Sequence, residues 1–164
     1  MCFIVDGMKQ CFVVLSPQLY PNIGTWASTV AQLLDHVFNG PTPYKIDRDR
    51  IYLTGLSRGG FGVYMFASSV LNSPNKLAAI APIAAWMGDD DACSIAKRNI
   101  PVWAFHGELD TVVPYGWGLS AYNRVRYCED PASNAEMMFT AYSDRYHDSW
   151  IPAYEPTNAY HNPN

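Results

Sequence analysis

Three residues in this chain have the types and order that nucleophilic catalysis needs: Ser57, Asp110 and His147. The serine lies in RIYLTGLSRGGFGVYMFA, residues 50–67, where strand-type residues stop at Gly55-Leu56-Ser57-Arg58-Gly59 and a helix-type run follows at once. A serine hydroxyl is a weak nucleophile, so it requires a neighbouring base and a group that orients the base. In PVWAFHGELDTVVP an apolar strand ends near His106 and runs into a loop carrying Asp110, and in AYSDRYHDSW another strand ends near Tyr142 ahead of His147. The acid and the base therefore each follow a strand of their own.

Those loops need a scaffold, and the hydrophobic pattern supplies one. Short apolar runs at Cys11–Ser16, Arg50–Gly55, Leu77–Ala85, Ile100–His106 and Ala135–Tyr142 read as strands, the first of them as a strand buried on both faces. Helical spacing marks Trp26–Phe38, Arg58–Leu71 and Pro114–Tyr127, with Asn-Gly-Pro and Asn-Ser-Pro stops after the first two. Strands and helices taking turns imply an α/β fold with right-handed crossovers and a mostly parallel sheet covered by helices on both faces. In such a sheet reactive groups collect beyond the carboxyl ends of the strands, which is where Ser57, Asp110 and His147 all fall. A sharp strand-to-helix turn lifts the Ser57 hydroxyl above the sheet, and glycines at 55, 59, 60 and 62 are expected to clear the space it needs. The helix starting at Arg58 turns its unpaired amides toward the serine, which favours negative charge there.

Composition narrows the function classes. The 164 residues, 49% of them hydrophobic, suffice for a single domain with one core, spanning 1–164. A net charge of −4 without any Lys/Arg cluster argues against nucleic acid as a partner and for one that is small or uncharged. No apolar run reaches the ~20 residues that span a bilayer, and MCFIVDGMKQ lacks the basic start and long apolar stretch of a signal peptide. The cysteines at 2, 11, 93 and 128 form no CxxC pair and show no metal-ligand spacing with the histidines, so neither metal nor cofactor is expected. Cys11 reads as a buried thiol, whereas Cys93 and Cys128 lie where a disulfide could form.

The phrases TGLSRGG, HGELDTVVP and YHDSW, with VVLSPQ and PYKIDRDRIYLTG, resemble the α/β-hydrolase fold family. Within it they are most similar to bacterial esterases of the phospholipase/carboxylesterase and polyhydroxybutyrate-depolymerase kinds. The resemblance covers most of the chain, from Cys11 to Trp150. It implies hydrolysis of carboxylic esters through an acyl-enzyme, with Ser57 as nucleophile, His147 as general base and acid, and Asp110 as the carboxylate that orients the histidine. The amide of Arg58 is expected to donate to the oxyanion, and Gln18, Trp86, Met87 and Trp150 are candidates for the substrate pocket, with core packing as the competing role. A serine peptidase of the prolyl-oligopeptidase type shares the triad and fold, and a noncatalytic remnant is the third reading.

Competing residues are set aside on position. His106 precedes Gly107 and reads as a structural residue holding the aspartate loop; His36 lies on a helix and His161 in a polar tail. Asp144 and Asp148 flank His147 in sequence, where neighbours usually point elsewhere, and Asp89-Asp90-Asp91 reads as a solvated turn. The chain also departs from the family: no H-G-G or H-G-x-G stretch precedes Ser57, and only ten residues precede the strand Cys11–Ser16. This implies a partial domain cut at the N-terminus and short at the C-terminus, and a weak esterase. Its sheet is expected to have a gap between Cys11–Ser16 and Arg50–Gly55, whose open edges invite self-association, with Cys2–Val5 able to enter only antiparallel.

Overall fold

The computed structural model describes residues 2–5, 7–18, 25–41, 46–69, 77–88, 91–129 and 134–155. Four parallel strands, β3 (Ile51–Leu56), β4 (Leu77–Ile83), β5 (Val102–Gly107) and β6 (Met137–Tyr142), pair in the order β3-β4-β5-β6. Apart from them stands an antiparallel hairpin of β1 (Cys2–Val5) and β2 (Met8–Cys11), turned at Gly7, whose φ of 74° suits glycine. The helices are α1 (Trp26–Asn39), α2 (Arg58–Ser68), α3 (Ala92–Lys97), α4 (Tyr115–Arg126) and the single turn α5 (Trp150–Ala153). This is the α/β architecture that alternating patterns imply, although α1 to α4 all pack on one face of the sheet where helices on both were expected; the ends of β3 to β6 and of α1, α2 and α4 agree with the sequence to within a few residues.

Period-2 alternation sorts the strand side chains onto two faces. One face carries Leu53, Ile80, Val102, Ala104 and Phe139, which pack with Val63, Phe66 and Ala67 of α2, Val30 and Leu34 of α1, Ile95 of α3 and Val125 of α4 into the main core. The opposite face carries a smaller cluster of Ile83, Phe105 and Tyr142, with Ala81 and Trp103 beside it and Ala153 of α5 above. Helix α1 is held at its start by a capping box, in which Ser28 N–H donates to Thr25 Oγ1 and Thr25 N–H to Ser28 Oγ, at 3.2 and 2.9 Å. A disulfide ties Cys93 at the start of α3 to buried Cys128 just past α4, across 35 residues, and cross-links of this kind typically add about 2–4 kcal/mol.

Two expectations fail at the N-terminal end. The run Cys11–Ser16 is no parallel strand: Cys11 closes β2, and Phe12–Ser16 are exposed outside any strand. A continuously apolar run needs neighbours on both faces and both edges. Here Phe12 meets Tyr52 of β3 edge-on, and Gln10, just before the run, accepts a hydrogen bond from Arg50 at 2.9 Å. Among the described residues the inner gap therefore does not arise, because β3 is the outer strand of the β3-β4-β5-β6 sheet and β1 pairs with β2 instead. Cys11 is likewise exposed rather than buried, and its sulfur is in a disulfide; the residue opposite it in the hairpin register is Cys2.

Candidate active site

Ser57 sits between the end of β3 and the first residue of α2 with φ 56° and ψ −118°, a conformation that costs an L-residue about 1–3 kcal/mol. Its backbone is pinned on both sides: Ser57 N–H donates to the Ile83 carbonyl at 2.9 Å, and its own carbonyl accepts from Phe61 N–H at 2.9 Å. The turn is tight because a Cβ on Gly55 would lie 2.5 Å from the Gly59 carbonyl carbon. A Cβ on Gly60 would lie 2.5 Å from Ala85 Cβ and 2.8 Å from the Gly55 oxygen, and one on Gly62 would enter the Trp26 ring. Gly59 departs from expectation: a Cβ there meets nothing within 4 Å, so its backbone, not its lack of a side chain, is what forces glycine at 55. The Arg58 amide is one of the first four of α2, which helix geometry leaves without intrahelical partners.

Across the same edge of the sheet, Asp110 follows β5 and His147 follows β6, and His147 Nδ1 lies 2.8 Å from Asp110 Oδ2. The other carboxylate oxygen, Oδ1, accepts from Val112 N–H and Val113 N–H, both at 2.9 Å. Burial alone pushes the Asp110 carboxyl up, but the His147 hydrogen bond and the Val113 and Val112 amides outweigh it and hold the group below the ordinary carboxylate range. Asp144 and Asp148 are engaged elsewhere, with Arg145 at 3.7 and 3.6 Å, and Asp148 also accepts from Tyr146 N–H. His106 is buried beneath α4, its Nε2 2.9 Å from the Val113 carbonyl and 3.5 Å from Asp110 Oδ2. Its burial lowers the imidazole's affinity for a proton more than the Val113 hydrogen bond and the Asp110 charge raise it. Among the described residues no hydrogen bond joins the Ser57 hydroxyl to His147. The structure thus brings Asp110 and His147 into contact and holds the strained Ser57 at the same edge.

The sequence profile of the phospholipase/carboxylesterase family matches residues 18–155. The chain belongs to that family. A bifunctional acetylxylan esterase/xylanase from Neocallimastix patriciarum is 32% identical over 111 residues, 63% of this chain and 15% of the relative. A thermostable esterase superposes with a TM-score of 0.61 at 28% identity, over 79% of this chain and 34% of its own. Arabidopsis thaliana SOBER1 shares the fold, with a TM-score of 0.56 at 19% identity over 74% of this chain and 54% of its own. The chain therefore spans between about a seventh and about half the length of these relatives.

In this phospholipase/carboxylesterase-family chain the four expected pocket residues scatter. Trp86 and Met87 follow β4 and line a depression of about 420 Å³ with Trp117, Ser120, Ala121 and Arg124 of α4. Trp86 also stacks on Phe61 of α2, centroids 5.1 Å apart, so this depression adjoins the helix that Ser57 heads. Gln18 is exposed beyond the hairpin and follows no sheet strand, because the run before it is not one; Trp150 is exposed at the start of α5. Trp117, Ser120, Ala121 and Arg124 went unnoticed, although their i, i+3, i+4, i+7 spacing places them on one face of a helix. Among the described residues no cluster of His, Cys, Asp and Glu could hold a metal, and no helix is long and apolar enough to cross a membrane. Asp91 stands at the N-cap position of α3, where its carboxylate accepts from the Ser94 hydroxyl at 2.6 Å, and Asp89 and Asp90 lie outside the described residues.

Proposed function

We propose that this chain hydrolyses carboxylic esters through Ser57, His147 and Asp110 by way of an acyl-enzyme. The observation that carries the reading is the 2.8 Å bond between His147 Nδ1 and Asp110 Oδ2, formed at the same sheet edge as the strained turn of Ser57. With Nδ1–H donated to Asp110, Nε2 of His147 is the nitrogen left to accept a proton. It takes the Ser57 proton as Oγ attacks the ester carbonyl carbon, and the Arg58 amide donates to the oxygen that becomes negative. Collapse expels the alcohol with the proton returned by His147, leaving the acyl group on Ser57. Water, deprotonated by His147, then attacks the acyl carbon and frees the acid and the serine. Only the unprotonated imidazole can act as that base.

The depression walled by Trp86, Met87 and Trp117 is the candidate for the substrate, and the relative that cleaves acetylxylan supports a short acyl group on a bulky alcohol. A fluorophosphonate probe and p-nitrophenyl acetate test the reading together. Probe labelling confined to Ser57 is expected, lost in Ser57→Ala and His147→Ala, with ester turnover falling by roughly 10³-fold or more in either variant. Labelling that survives Ser57→Ala would overturn the assignment, and cleavage of a peptide anilide in preference to the ester would move it to the peptidases.

A further inference from the structure

The carboxylate of Asp110 is aimed by a peptide rather than by a side chain. Val113 presents both of its backbone groups to the site: its N–H donates to Asp110 Oδ1 at 2.9 Å, and its carbonyl faces His106 Nε2 at 2.9 Å. A carbonyl only accepts, so His106 Nε2 carries the proton and Nδ1 does not. That ring cannot drift. His106 is 1% exposed, Tyr115 meets it edge-on with centroids 6.0 Å apart, and Gly118 of α4 lies so close that a Cβ there would strike Nδ1. A buried imidazole fixed by a strand on one side and a helix on the other is a rigid anchor. The Val113 peptide links that anchor to Asp110, which in turn meets His147.

We propose that His106 is a positioning residue of the hydrolytic site: its Nε2–H fixes the Val113 peptide, which sets the direction of the Asp110 carboxylate and so the tautomer and aim of His147. This rests on the reading of Ser57, Asp110 and His147 as the hydrolytic residues. Nε2 of His106 also stands 3.5 Å from Asp110 Oδ2, the oxygen that His147 uses, so losing the donor loosens that oxygen as well. The charged and titratable groups around the ring are Asp110, His147 and Tyr115.

Two near-isosteric replacements separate the donor from the bulk. Glutamine keeps an N–H at the reach of Nε2, and methionine fills the space without one. Steady-state hydrolysis of p-nitrophenyl acetate by the full chain is measured alongside the downfield proton resonance of the His147–Asp110 hydrogen bond and the thermal unfolding curve. In His106→Met, kcat is expected to fall roughly 10- to 100-fold with KM within about twofold, and the downfield resonance to broaden or vanish. His106→Gln is expected to restore most of both. Gly118→Ala, which keeps every hydrogen-bonding group and favours its helix, presses on the ring; it should lower kcat and disturb the resonance even where His106→Met does not fold. An unchanged kcat and resonance in folded His106→Met or in Gly118→Ala overturns the proposal. Should the wild-type chain fail to turn over the ester, the resonance still reports on positioning, so the loss of the hydrolytic reading and the loss of this one are told apart.

Discussion

The two faces of the sheet are built to different standards. Under α1 to α4, Phe66, Ala67, Ile95, Val102 and Val125 are at most 1% exposed. On the other face Tyr52 is 52% exposed and Thr54 is exposed too. A depression of about 400 Å³ runs over Ala79, Ala81, Trp103 and Met138 to Tyr154, whose hydroxyl meets Thr54 Oγ1 at 2.8 Å. Ser57 at the head of α2 and the Asp110 loop anchored by His106 beneath α4 rest on the first face, whereas His147 lies between β6 and α5, whose Ala153 packs on the other. The difference teaches that Ser57 and Asp110 of the candidate site are held by the well-packed half of the molecule, while His147 stands where the two halves meet.

The contrast breaks most visibly by emptying the packed half. Phe66→Ala removes a ring with no exposure and is expected to cost about 3–5 kcal/mol, read by urea unfolding. Tyr52→Ser on the open face should change stability by no more than about 0.5–1 kcal/mol in the same assay. Equal losses would mean that both faces share the load.

A smaller effect comes from titration within the packed half. The unfolded Asp110 carboxyl titrates near about 3.9 and the folded one lower, so its contribution is present above about pH 4 and is lost as pH falls through the folded value. His106 is also depressed in the fold, so below about pH 6.5 the unfolded chain binds a proton that the folded chain refuses, and stability again falls. Unfolding free energy measured from pH 7 to 3 should therefore decline in two stages. Asp110→Asn is expected to make the lower stage shallower, with Asp47 and Asp91 still contributing to it, and to deepen the upper one, because His106 loses the charge that favours its protonated form. A curve in Asp110→Asn that parallels the wild type below pH 4 would remove the carboxylate from the account.

The smallest change in stability tests the open half by association instead. We propose that the free edge at β3, with exposed Tyr52 upon it, supports self-association, because an unpaired strand offers its backbone groups to another chain. Sedimentation velocity over a range of concentrations should show Tyr52→Lys less associated than the wild type, with the unfolding midpoint nearly unchanged. A wild-type chain that stays monomeric throughout would refute this.

Much of the site was legible because its residues are local signals. Ser57 stands where strand-type residues meet helix-type ones, and Asp110 and His147 each come just after a strand, so chain order alone put all three at one sheet edge. The hairpin was not legible, because CFVVLS has the same apolar content whether it is buried between strands or left outside them. Gly55 and Gly59 looked equivalent in sequence, and only the path of the backbone separates the glycine whose Cβ would collide from the one whose Cβ would not. Trp117 and Arg124 were passed over because helical spacing marks a face without saying what lies opposite.

By itself the sequence determined the alternation of strands and helices, the strand-to-helix turn at Ser57 and the strand ends from which Asp110 and His147 project, since hydrophobic period and glycine sterics act over a few residues. Tertiary structure alone decided that Phe12–Ser16 stay outside any strand, that β3 is an edge among the described residues, that Cys93 meets Cys128, and that Val113 stands between His106 and Asp110. Those outcomes depend on distances between segments remote in the chain, and they are fixed only when the sheet's register and the burial of one face bring the segments together.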